Sequence, residues 1–104
     1  MNIVIAFQDR RPCQEIAYSA RRALEHALDR FAERIRDVTV RIRDENGAKG
    51  GIDQRCSLTV RTRAGEQWFL HDRDSSAADA VRRLARRAAR LIATRTRRRA
   101  GAAR

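Results

Sequence analysis

Two short alternations separated by a glycine-rich run constrain this chain more than any other feature. Val38, Val40 and Ile42 interleave with Thr39, Arg41 and Arg43, and further on Cys56, Leu58 and Val60 interleave with Ser57, Thr59 and Arg61. A period of two turns the apolar side chains to one face of an extended strand and the polar ones to the other. Between the stretches runs Asp44-Glu45-Asn46-Gly47-Ala48-Lys49-Gly50-Gly51-Ile52-Asp53-Gln54-Arg55-Cys56, whose glycines admit the backbone angles a chain reversal needs. The pattern predicts a hairpin with one buried face, so other parts of the chain must cover that face.

The cover is written on either side of the hairpin. Asn2–Phe7 is β-branched and aromatic and reads as a first strand. From Gln14 to Ile35, residues Ile16, Ala20, Leu24, Ala27, Leu28, Phe31 and Ile35 recur at three- and four-residue steps, predicting one amphipathic helix of about six turns. The hairpin strands are expected over 37–44 and 55–63 with a loop over 45–54. Ala64-Gly65 then turns the chain into a fourth strand over 67–71, apolar on both faces so that its inward side stays open; for Trp68 and Phe69 a core role is favoured over stacking on bases. Ser76 is a helix N-cap candidate, and Ala77, Val81, Leu84, Ala88, Leu91 and Ile92 form the stripe of a second helix. The expected fold is α+β, in the order β-α-β-β-β-α. It is a four-stranded mixed sheet with two helices packed on one face and a parallel first pair of strands joined by the first helix. Residues 1–95 form one domain, and 96–104 are expected to be a basic, disordered tail.

Charge narrows the function. Twenty-four basic residues face thirteen acidic ones, a formal net charge of +11, and every basic residue but Lys49 is Arg. A polyanion is the expected partner, and Arg presents a rigid donor fork suited to phosphate, although a GC-rich genome would enrich Arg as well. On the second helix, at 100° per residue, Arg82, Arg86, Arg90, Arg83 and Arg87 fall within about 140° of one another, opposite the apolar stripe. After Asp79 that face holds no acidic neighbour on its own helix. Like charges at i,i+4 repel by a few tenths of a kcal/mol per pair, so an external anion is the expected compensation. A merely solvated face is the alternative. Arg95 and the basic tail extend the face, Arg21 and Arg22 on the first helix are possible secondary contacts, and Lys49 adds a point charge in the loop.

Other classes find less support. The loop lacks the order of a phosphate-binding P-loop and the acidic positions of a calcium loop. His26, His71, Cys13 and Cys56 form no visible catalytic or metal constellation, so no enzyme activity, cofactor or metal is expected. No apolar segment approaches the roughly 18–20 residues that span a bilayer, and no membrane or small-molecule substrate is expected. The amino end lacks a secretory pattern, which makes the cytoplasm the expected compartment and both thiols free. The sequence does not set an oligomeric state.

The residues D-E-N-G-x-K-G-G-x-D-x-x-C, between a V-x-V-x-I strand and an L-x-V strand, resemble the ribosome hibernation promoting factor and ribosome-associated translation inhibitor family. The resemblance extends through the element order to about Arg95. It implies a protein that binds the small ribosomal subunit and its ribosomal RNA near the decoding region and inhibits translation or promotes hibernation under stress. A general RNA-binding or RNA-chaperone module would carry the same basic face without preferring ribosomes. A regulatory module for an acidic protein would bind with little dependence on salt.

Overall fold

The structure, a computed structural model, describes residues 1–46 and 52–102. Its elements are β1 (Asn2–Gln8), α1 (Gln14–Leu28), a 3₁₀ segment (Asp29–Arg34), β2 (Ile35–Asn46), β3 (Ile52–Thr62), β4 (Gln67–Asp74) and α2 (Ala77–Ala102). The strands lie in the order β1-β2-β3-β4, β1 parallel to β2 and the remaining pairs antiparallel. This is the expected α+β arrangement.

The alternation sets the core. Val38 and Val40 of β2 face Val60 and Leu58 of β3 in register, and Ile42 faces Cys56. All six are fully buried, together with Leu24 and Leu28 of α1 and Val81 and Leu84 of α2. Both helices therefore cover the same face of the sheet. Each large aliphatic side chain removed from water there contributes about 1.5–3 kcal/mol. Small residues bring α2 close: Ala80, Ala85 and Ala88 are buried, whereas Leu91, expected in the stripe, is 39% exposed.

The expected long first helix stops at Leu28. The chain tightens into the 3₁₀ segment, whose last carbonyl, that of Arg34, accepts a bond from the Arg63 N–H at 2.9 Å. This anchor turns the chain into β2, so Ile35 is a buried strand residue instead of a helical one. The hairpin strands also run further toward the loop than expected, with Glu45 opposite Asp53. The helical backbone of α2 continues through Ala102, past the expected start of the tail. Arg and Ala are both good helix formers, and no breaker intervenes before Gly101.

At the β3–β4 turn Gly65 takes φ +93°, a left-handed angle that favours glycine, and its N–H donates to the Thr62 carbonyl at 3.1 Å. The turn sets β4 so that Trp68 and Leu70 pack against the core and Phe69 points away, 63% exposed. The expectation of a core role thus holds for Trp68 and fails for Phe69.

Candidate nucleic-acid interface

The second helix is held at its amino end by the strand before it. Ser76 Oγ accepts the Asp79 N–H at 3.2 Å, and Asp74 Oδ1 accepts the Ser76 N–H at 2.8 Å. The Cys56 thiol lies beneath the first turn, donating weakly to the Ala77 carbonyl at 3.9 Å. Burial, reinforced by the Asp72 carboxylate, pushes that thiol up to about 11, so it is neutral and unreactive near pH 7. These contacts fix the rotation of α2 and with it the direction of each arginine.

The arginines do not form one free face. Arg83 reaches back over β4, its Nε 2.8 Å from Asp72 Oδ2 and its Nη2 2.9 Å from Asp74 Oδ2. The Arg83 bond holds the Asp72 carboxyl below its ordinary value. At Asp74 the Ser76 N–H is the larger cause of a similar lowering, with Arg83 second. The two carboxylates in turn raise Arg83, Asp72 the more strongly. Arg87 Nη1 donates to the His71 carbonyl at 2.8 Å, and Arg95 pairs with Glu66 at 3.5 Å. The compensation that α2 lacks along its own axis thus comes in part from the sheet.

Arg82 and Arg86 point the other way. With Arg21 and Arg22 of α1 they line a groove of about 910 Å³ between the two helices and the start of β1. Arg82 is paired with Asp79, three positions earlier on the same helix. Arg86 has no carboxylate partner among the described residues. Arg21 Nη2 donates to the Ile3 carbonyl at 3.1 Å, which directs its side chain across the groove wall, and Arg22 lies 5.9 Å from the Tyr18 ring centre. Glu25 and Asp29 also line the groove, so its charge is mixed with a basic excess. Arg90 is exposed beyond the groove lining, and Lys49 lies outside the described residues.

Four of the nine expected contact residues therefore meet in one place: Arg21, Arg22, Arg82 and Arg86. Arg83, Arg87 and Arg95 are drawn to the opposite side of α2. A concave surface with several guanidinium forks suits an extended polyanion such as an RNA backbone, since each fork can bridge two phosphate oxygens. Among the described residues no cluster of His, Cys, Asp and Glu could hold a metal, and no helix is long and apolar enough to cross a membrane.

Fold and groove together define a small α+β protein with a basic helical face. Its architecture is shared with solved structures, among them the following two. A ribosomal subunit interface protein from Coxiella burnetii superposes with a TM-score of 0.77 at 10% identity, over 92% of this chain and 98% of that one. The Thermus thermophilus Protein Y N-terminal domain superposes with a TM-score of 0.68 at 15% identity, over 88% of this chain and 96% of that one. No protein-family model and no curated protein sequence matches this chain. At these identities the likeness establishes the fold.

Proposed function

We propose that this protein binds the small ribosomal subunit through ribosomal RNA phosphates and obstructs translation near the decoding region, as expected of a hibernation-type factor. The observation that carries the reading is the meeting of Arg21 and Arg22 with Arg82 and Arg86 across one groove. The near end-to-end match to a ribosomal subunit interface protein supports the same direction. In this mechanism the groove and the exposed Arg86 and Arg90 neutralise backbone phosphates, while the rigid sheet fills space that messenger or transfer RNA would otherwise occupy. Recognition is then by shape and backbone, which suits structured RNA.

Sedimentation with ribosomes and with separated subunits across a salt series tests the proposal, using the parent protein beside an Arg82→Glu/Arg86→Glu/Arg90→Glu variant. Stoichiometric binding to the small subunit, lost in the variant, is the expected result. A binding face that neutralises roughly 6–10 phosphates should lose about 10³–10⁵ in affinity between 50 and 200 mM salt. Binding no tighter than to bulk RNA would replace the ribosomal reading with a general RNA-binding one. Salt-insensitive capture of a protein partner would replace both.

A further inference from the structure

The face of the sheet opposite the helices carries an arrangement that neither the core nor the helical groove uses. Strand register sets Arg43 of β2, Arg55 of β3 and Arg73 of β4 directly across from one another, in a row that begins at Gln8 of β1. Like charges directly opposite in a sheet destabilise it. Glu45 offsets part of this, 3.8 Å from Arg55 and 3.2 Å from Arg73, with Asp53 beside it in register. The next row places Arg41 between Ala6 and Ser57 and ends at His71. Arg41 and Arg43 are both exposed and have no carboxylate partner among the described residues.

A row with apolar residues at both ends adjoins the basic ones. Val4, Thr39, Thr59 and Phe69 are aligned across all four strands, with Phe69 63% and Val4 43% exposed. Phe69 and His71 are two positions apart on β4, so their rings project from the same face at a separation of about 7 Å. Rings at that spacing, with Arg41 in the row of His71 and Arg43 in the next row, both two strands away from β4, match a strand of nucleic acid laid on the sheet with its bases stepping along β4. Bases would rest on the rings and phosphates on the arginines.

We infer that the helix-free sheet face is a second RNA-binding surface, one that takes a short single-stranded segment through Phe69, His71, Arg41 and Arg43. From Phe69 to Arg73 the strand itself runs about 14 Å, room for a short stretch of nucleotides. Charge argues against a second copy of this chain as the occupant, because two such faces brought together would oppose their arginine rows. The inference goes beyond the proposed function, since it uses the other side of the sheet and unpaired RNA.

Fluorescence anisotropy with a labelled eight-nucleotide oligouridylate tests it on the full chain. Phe69→Ala should weaken binding roughly 5- to 100-fold, the range expected for losing one stacked base. Arg41→Gln/Arg43→Gln should weaken binding at low salt and lower the salt slope by about 1–2. Both sites are exposed, so unchanged circular dichroism and melting temperature are expected and isolate the effect to binding. Unchanged affinity in both sheet-face variants, or dimerisation through this face seen by light scattering and relieved by Phe69→Ala, overturns the inference. Failure of the parent protein to sediment with the small subunit, with the oligonucleotide still bound, would overturn the proposed function alone. The opposite pair of results would overturn only this inference.

Discussion

Arg82 and Arg86 belong to the same helical face as Arg83 and Arg87, yet the fold assigns the two pairs to different tasks. Arg83 and Arg87 lean over β4, where Asp72, Asp74 and the His71 carbonyl receive them. Arg82 and Arg86 lean toward α1 and share a groove with Arg21 and Arg22. Residues one position apart on a helix are about 100° apart around it, enough to separate a structural tie from a surface available to a ligand. A count of charges on a helical face does not measure the charge it can offer.

The largest test removes the platform under both pairs. Leu84→Ala empties a fully buried site between α2 and the sheet, and is expected to cost about 2–5 kcal/mol in chemical denaturation. Both pairs should lose their geometry together. The next test separates them. Arg82→Glu/Arg86→Glu should lower affinity for ribosomal RNA tenfold or more and reduce the salt slope by about 2, whereas Arg83→Gln/Arg87→Gln should change affinity less than threefold while lowering the melting temperature. Equal losses of affinity would break the distinction.

Ser76→Ala removes the oxygen that caps the helix carrying both pairs, and should cost about 1 kcal/mol by thermal melting with little change in RNA affinity. The smallest effect concerns acid. Asp72 and Asp74 have folded-state values depressed below the ordinary 3.8. Their contribution is therefore present above that value and is lost as pH falls through the lower, folded ones. Melting temperature should fall more steeply below pH 4 for the parent protein than for Asp72→Asn/Asp74→Asn. Identical slopes would mean that the β4 carboxylates do not hold Arg83 in solution.

Much of the architecture was legible. Period-two alternation marks β2 and β3 and their buried faces, and the Ser76 cap marks the start of α2. The end of α1 was hidden because Phe31 and Ile35 keep the three- and four-residue spacing of a helix while the backbone passes through a 3₁₀ segment into a strand. Spacing alone does not distinguish these states. The inward side of β4 was ambiguous because Trp68, Phe69 and Leu70 are consecutive and apolar, and only pairing with β3 decides which of them faces the core. The groove was half visible. Arg21, Arg22, Arg82 and Arg86 stand out as basic residues on helical faces, but their meeting depends on how α1 packs beside α2. The partners of Arg83 escaped notice because Asp72 and Asp74 lie on another element.

The parallel pairing of β1 with β2 also bears on how the chain reaches this state. Asn2 pairs with Asp37, so β1 must wait through about 35 residues of chain before its partner exists, whereas β2, β3 and β4 meet through successive hairpins. Loop-closure entropy favours the local meander as the early nucleus and leaves the first strand to dock late. During synthesis β1 emerges before the strands it joins and is then among the last of the four to find its place, with its apolar residues exposed until the sheet is ready to receive it.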